Sequence, residues 1–69
     1  MFTVKVYNHK AHTIINGAEF ETDGEAWKEA FDQANIHLSL YKHHGTPARI
    51  TKTSFGYKVR DIEIKIVEI

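Results

Sequence analysis

The sequence predicts an α+β domain in which one helix, residues 23–43, packs on a four-stranded sheet in the order ββαββ. Two observations predict this fold class. Both ends of the chain alternate apolar and polar residues, whereas the middle carries apolar residues at helical spacing between two capping signals. The length of 69 residues is that of one domain, residues 1–69.

The first two strands are predicted from the segment FTVKVY and from residues 13–21, with a turn at residues 8–12 between them. The first strand has three apolar residues of one parity that point inward, namely Phe2, Val4 and Val6. In the second strand Ile14, Ala18 and Phe20 share one parity, which Ile15 breaks. Gly17 interrupts its alternation and predicts a bulge or an edge kink.

The helix is predicted from its caps and its apolar stripe. Thr22 and Glu25 have the spacing of a capping box, and the ending KHHG at residues 42–45 is a typical helix stop. The stripe recurs at three- and four-residue steps, at Trp27, Ala30, Phe31, Ala34, Leu38 and Tyr41. Residues 36–44 also alternate and could form a strand, but the continuous stripe and the stop signal favour the long helix.

Pro47 prevents the helix from continuing, and residues 48–54 then predict an edge strand. Residues 55–57 predict a turn, and residues 58–69 predict the last strand. Its alternating isoleucines are Ile62, Ile64 and Ile66, whereas the opposite parity holds Val59, Val67 and Ile69. This double pattern predicts either a bulge or a strand that is covered on both faces, and the second option indicates an interface.

The order of these segments resembles the immunoglobulin-binding domains of bacterial surface proteins G and L. The resemblance rests on FTVKVY, then AEFE, then a helix that opens with Glu-Ala and aromatic residues, then GYKVRDIEIKI. It implies a β-grasp sheet whose first and last strands are central and parallel, and it transfers no binding residue. A looser likeness, in size and style, is to small phage-encoded α/β proteins that inhibit host machinery.

The composition limits the cellular compartments and the partners that we expect for the protein. No cysteine is present, and no apolar run approaches the roughly 20 residues that a membrane span requires. We therefore expect a reduced, cytoplasmic setting and no membrane contact. A chain of this length buries a thin core, so a homodimer or a protein partner would add burial. The net charge is zero, but residues 19–36 hold six acids and one base, whereas residues 37–60 hold five bases and no acid.

No catalytic, cofactor or metal site is expected. The five histidines lack a metal-binding pattern, because His9 and His12 fall in a turn and His37 and His44 lie two helical turns apart. No serine or threonine stands in a glycine-flanked nucleophile elbow, and the isolated glycines form no phosphate loop. These absences favour a binding protein over an enzyme.

The sequence therefore predicts a non-enzymatic protein-binding module, an inhibitor or adaptor of phage type that acts on a host protein complex. Its contact residues are expected on the sheet face opposite the helix: Tyr7, Tyr57, Val59, Arg60, Lys65, Val67 and Ile69. The alternative is a small nucleic-acid-binding protein that uses the basic segment and its aromatic residues. The residues of this alternative are Lys42, Arg49, Lys52, Phe55, Lys58 and Arg60.

Overall fold

A computed structural model describes all 69 residues and shows one helix packed on a five-stranded sheet. The elements in chain order are β1 (Phe2–Asn8), β2 (Thr13–Phe20), α1 (Asp23–His43), β3 (Thr51–Lys52), β4 (Gly56–Val59) and β5 (Ile62–Glu68). The strands lie in the order β2-β1-β5-β4-β3, and every neighbouring pair is antiparallel. The α+β class is thus confirmed. The helix lacks the long apolar stretch needed to cross a membrane.

Both ends of α1 follow the predicted capping signals. The amide of Glu25 donates to the Thr22 hydroxyl at 3.3 Å, and that hydroxyl donates to the Glu25 carboxylate at 2.9 Å. After His43 the amide of Gly45 donates to the Lys42 carbonyl, and Gly45 has a φ of 73°, which glycine adopts without strain. The predicted span 23–43 is confirmed, and residues 36–43 are helical.

The core lies between α1 and the sheet. The helix contributes Ala26, Ala30 and Ala34, all fully buried. The sheet contributes Val4, Val6, Val59, Ile62 and Ile64. Because alanine extends by a single methyl group, α1 can lie close to the strands, and the branched side chains fill the space between them.

Two aromatic residues of the predicted stripe lie at the flank of the core. Trp27 and Phe31 meet the ring of Tyr57 edge-on, with centroids 5.6 and 5.5 Å apart. Phe31 remains 46% exposed, and Leu38 and Tyr41 pack against the core while partly buried. The stripe is therefore confirmed as the packing face of α1, with its aromatic members at one border.

The predicted single strand over residues 58–69 is wrong, because the chain turns back at Arg60 and Asp61. These residues form a two-residue loop between β4 and β5, since Val59 pairs with Ile62. Arg60 has a φ of 52°, a value that hairpin loops usually give to glycine or asparagine. The reversal places Val59 and Ile62 on the same face, and it explains why the apolar parity changes along this segment. The predicted turn at residues 55–57 is also displaced, because Gly56 begins β4.

The predicted four-stranded β-grasp arrangement differs from the observed sheet. The first and last strands are central, as expected, but β1 and β5 run antiparallel, with Phe2 opposite Glu68. The reason is that three antiparallel strands follow the helix instead of two, so the chain reverses once more. The additional strand arises because the hairpin divides the predicted last strand into β4 and β5, whereas the predicted edge strand 48–54 is reduced to the two residues of β3.

Strand β2 forms the other edge of the sheet. The predicted turn at residues 8–12 is confirmed, and Asn8 closes it by accepting the amides of Lys10 and Ala11. The predicted bulge is also confirmed, because the pairing with β1 shifts register across Gly17 and Ala18. Every residue of β2 except Phe20 is exposed.

The expected common face of Ile14 and Phe20 is wrong. Ile14 pairs with Tyr7 on the face away from α1, whereas Ile15 pairs with the buried Val6. The bulge separates Ile14 from Phe20, so the two residues do not share a parity. At one end of the β1–β5 pair, the amide of Ile69 donates to the carbonyl of Met1 at 2.9 Å, so residues 1 and 69 are neighbours.

Candidate binding surfaces

The sheet face opposite α1, here called the open face, carries the first candidate surface. Antiparallel partners share a face, so the register places three residues of β1 beside three of β5. These residues are Thr3, Lys5, Tyr7, Glu63, Lys65 and Val67. The helix packs on the opposite side, where Val4, Val6 and Ile64 are buried.

A chain of polar and aromatic contacts orients Tyr7 on the open face. The ammonium of Lys65 lies 5.3 Å from the centre of the Tyr7 ring, and the ring of His9 stacks on Tyr7 with centroids 6.2 Å apart. His9 Nε2 lies 2.9 Å from a carboxylate oxygen of Glu63, which is 3.9 Å from Lys65 Nζ. Each exposed ion pair is worth less than about 1 kcal/mol, so their main effect is to restrict the side-chain positions.

A shallow depression of about 420 Å³ lies beside this network. We call it the aromatic depression, and it is lined by Tyr7, Phe55, Lys65, Ile66, Val67 and Glu68. Phe55 is 63% exposed, although the segment it lies in is tied to β5 by a hydrogen bond of 2.7 Å from the Ile66 amide to the Phe55 carbonyl. The depression therefore offers an accessible aromatic ring on an anchored backbone, with one cation and one anion in its lining.

The structure brings together three of the seven residues predicted for protein binding. Tyr7, Lys65 and Val67 lie on the open face, as expected. The placement of Tyr57 and Val59 there is wrong, because the hairpin turn after Val59 puts both on the helix side. Val59 is fully buried in the core, and Tyr57 packs on the aromatic residues of α1.

The remaining two residues of that set lie elsewhere. Arg60 occupies the β4–β5 loop and donates from Nη1 to the Pro47 carbonyl at 2.7 Å. Ile69 follows β5 and is 65% exposed. Neither residue lines the aromatic depression.

A second candidate surface is an open groove of about 510 Å³ that we call the basic groove. It is lined by Pro47, Ala48, Arg49, Thr51, Lys58 and Arg60, a set with three cations and no acid. The Arg60 guanidinium also lies 5.8 Å from the centre of the Tyr41 ring. Together with the bond to Pro47, this contact holds one wall of the groove in place.

The basic groove groups three of the six residues predicted for nucleic-acid binding, namely Arg49, Lys58 and Arg60. The other three lie apart from it. Lys42 is in the last turn of α1, the Lys52 ammonium lies 5.2 Å from the centre of the Trp27 ring, and Phe55 lines the aromatic depression. The six predicted residues therefore do not form one continuous basic surface, because three line the basic groove and three lie outside it.

The histidines do not converge on one point. No group of three or more His, Asp or Glu side chains is placed to hold a metal ion. His9 contacts Glu63, and the rings of His43 and His44 meet edge-on at 5.6 Å. Burial lowers the pKa of His37, which lies beside Leu40 and Tyr41 near the sheet.

Comparison with protein-family models, curated proteins and solved structures finds no match. The resemblance to immunoglobulin-binding domains therefore stays a prediction, and the surfaces themselves carry the functional argument.

Sequence reasoning missed two features of these surfaces. It assigned Phe55 to the basic segment, whereas the aromatic depression places that residue with Tyr7. It also missed Thr51 and Pro47 as groove residues beside Arg49. These residues come together because β3 pairs with β4, with Thr51 opposite Lys58. A β3–β4 hairpin that ends at Arg60, had it been predicted, would have indicated this groove.

Proposed function

We propose that this protein is a non-enzymatic protein-binding module that contacts its partner through the open face. In this proposal it acts in the cytoplasm as an inhibitor or adaptor of phage type on a host protein complex. The role as inhibitor or adaptor rests on the small size and style of the chain. The choice of surface rests on the aromatic depression.

The aromatic depression supports this proposal by its composition. Interfaces concentrate their binding energy in a few aromatic residues within a less critical border. Tyr7 and Phe55 supply two aromatic rings, and Lys65 and Glu68 supply charges of both signs beside them. Such a surface suits a partner segment with an apolar side chain for the depression and a charged group next to it.

The position of Tyr7 supports the proposal energetically. Its ring already contacts the Lys65 ammonium and the His9 ring in the free protein. A side chain that is ordered before binding loses little conformational entropy on complex formation. Tyr7 also stands on β1, a central strand, so its backbone is fixed by pairing on both sides. We therefore expect Tyr7 to contribute more binding energy than any other residue of the open face.

Affinity capture with a position-specific crosslinker tests this proposal. A photoreactive residue replaces Val67 on the open face, and a matched control carries it at Ser39, an exposed position on α1. After irradiation in lysate of the host, we expect one specific adduct at Val67, none at Ser39, and loss of the adduct in Tyr7→Ala. Equal labelling at the two positions, or an adduct that persists in Tyr7→Ala, would contradict the proposed surface.

The second candidate function is nucleic-acid binding, which the basic groove favours. Arg49, Lys58 and Arg60 line one groove with no acidic residue in its lining, and phosphate groups are bound by such clusters. The groove lies on the β3–β4 side of the sheet, while the exposed ring of Phe55 offers a stacking partner nearby in sequence. This arrangement fits a short single strand better than a duplex, because the groove is small.

A salt series distinguishes the two functions. Three phosphate contacts to a single strand predict a slope near −2 for log affinity against log salt, or about a 20-fold loss between 50 and 200 mM. Fluorescence anisotropy with a labelled oligonucleotide should show this slope, and Lys58→Ala should reduce it by about 0.7, whereas Lys28→Ala on α1 should not. Absence of binding at low salt would eliminate the nucleic-acid function, and tight binding with this slope would replace the protein-binding proposal.

A further inference from the structure

Strand β2 is an edge strand whose first half, before the bulge, lacks the charges and prolines that normally protect an edge. It is eight residues long and borders the sheet, so one side of its backbone has no partner strand. Residues 13–18 contain no charged residue and no proline. Ile14 and Ile15 are 60% and 63% exposed on opposite faces of this strand.

The opposite edge of the sheet shows the protection that β2 lacks. Strand β3 consists of Thr51 and Lys52 only, so it is short and carries a cation. The first half of β2 is therefore the more accessible of the two sheet edges for pairing with another strand. The β2 bulge at Gly17 and Ala18 limits regular pairing to the first part of the strand.

The two ends of β2 carry opposite charge. The turn before it holds Lys10 and His12, and the segment at its other end holds Glu19 and Glu21. An antiparallel copy of the same strand reverses this order, so basic residues of one copy meet acidic residues of the other. A parallel copy would place like charges together. This complementarity identifies a second copy of the chain as a fitting partner.

We propose that two copies of this protein pair through antiparallel β2 strands and join their sheets into one. A two-fold axis perpendicular to the sheet keeps both helices on the same side, so paired residues must share a face. A register centred on Ile15 meets this condition, because Ile15 opposes its own copy on the helix side. Ile14 then opposes Asn16, and both lie on the open-face side.

The same register also accounts for the opposite charges at the two ends of β2. Continued past the strand ends, with Gly17 and Ala18 counted as one position because of the bulge, it brings Lys10 of each copy level with Glu21 of the other. It also brings a second isoleucine side chain next to Ile15, which borders a narrow gap of about 120 Å³ between β2 and α1. The gap is lined by Val4, Val6, Ile15, Gly17, Ala18, Glu29 and Gln33. Self-pairing therefore covers apolar surface that the single chain leaves open to water.

Sedimentation velocity over about a hundredfold range of protein concentration tests the pairing, because self-association follows mass action. The wild-type chain should shift from monomer to dimer as its concentration rises. Ile15→Lys should remain monomeric throughout, because it adds a charge at the centre of the pairing. The control Ile36→Lys replaces an isoleucine of α1 that is 51% exposed and should dimerise as the wild type does.

Charge exchange tests the register. Glu21→Lys and Lys10→Glu should each weaken the dimer about tenfold, since each affects two symmetric contacts, and the double exchange should restore it. Far-ultraviolet circular dichroism verifies that each variant is folded. Tyr7→Ala should leave the dimer unchanged, which separates this proposal from binding through the open face.

Three outcomes would overturn the self-pairing. The first is a wild-type monomer at the highest concentration, and the second is a dimer that persists in Ile15→Lys. The third is Ile15-dependent binding of a foreign strand without self-association, which would give the edge another occupant. Additive weakening in the double exchange would refute the register centred on Ile15.

Discussion

Replacing Gly56 with alanine would place a methyl group against the backbone of the central strand β5. The added Cβ would collide with the carbonyl oxygen of Ile64 and lie 3.0 Å from its carbonyl carbon. Backbone atoms of a paired strand cannot rotate away as a flexible side chain can. Gly56→Ala must therefore push β4 away from β5, which disturbs the pairing of Gly56 with Lys65.

The expected loss in the free energy of unfolding depends on the contacts that are disturbed when β4 moves. Overpacking of a tight site costs about 1–3 kcal/mol, and displacement of β4 also exposes part of the fully buried Val59. We expect a loss of about 3 kcal/mol in the free energy of unfolding. A domain of 69 residues has a total of about 3.5–10 kcal/mol, so this loss is a large share of it.

Urea unfolding measures the effect, with Trp27 fluorescence as the signal. The Trp27 ring lies 5.6 Å from the ring of Tyr57, which follows the substituted residue, so the probe reports on β4. With a slope near 1 kcal/mol per M, Gly56→Ala should lower the midpoint by about 2–3 M. The matched control is Gly24→Ala in the first turn of α1, where an added Cβ meets nothing within 4 Å. It should be neutral or stabilise by up to about 1 kcal/mol. Equal midpoints for the two variants would refute the close approach of β4 to β5.

Three further predictions concern α1. Thr22→Ala removes the hydroxyl that caps the Glu25 amide, so the free energy of unfolding should fall by about 1 kcal/mol. Urea unfolding measures this loss, and an unchanged midpoint would contradict the capping role. Trp27→Ala should lower the free energy of unfolding by about 3 kcal/mol, because Trp27 packs on Tyr57 while remaining partly exposed. Unfolding followed by circular dichroism measures this loss, and a value below about 1 kcal/mol would mean that the ring does not support the core. Burial lowers the pKa of His37, so the unfolded chain binds this proton more readily and wild-type stability should fall as the pH drops below about 6.5. His37→Gln should lose that part of the pH dependence, and identical pH profiles for both proteins would exclude the effect.

The helix was predictable from the sequence because its signals are local. Thr22 and Glu25 mark its start, and the KHHG ending at residues 42–45 marks its end. Capping acts over three or four residues, so neighbouring residues alone determine it. The bulge at Gly17 was predictable for the same reason, because a glycine within an alternating strand often marks a bulge.

The β4–β5 hairpin could not be predicted, because its loop lacks the usual residues. Arg60 adopts a positive φ without being glycine or asparagine, so the residues around it have the pattern of one long strand. The Arg60 contacts with Pro47 and Tyr41 help to hold this conformation, and both partners are distant in sequence. Contacts of this kind are tertiary and leave no local pattern.

The error at the hairpin determined the errors at the candidate site. With a single strand over residues 58–69, Val59 and Val67 share a parity and were expected on one face. The turn reverses the chain, so Val59 enters the core while Val67 reaches the open face. Tyr7 was placed correctly because β1 contains no turn or bulge and its alternation is continuous.

The pairing of β1 with β5 has a consequence for how the chain folds. The middle strand of the sheet, β5, is the last of the five in the sequence and pairs with β1, the first, so Phe2 must find Glu68 across nearly the whole sequence. Closing a loop of that length costs about 4 kcal/mol of chain entropy by the logarithmic rule, whereas each hairpin closes locally. A nascent chain that stops before Ile62 exposes Val4 and Val6, because the strand that covers their flank is missing. We expect closure of the β1–β5 pair to limit the folding rate, because it joins the residues that lie farthest apart in the sequence.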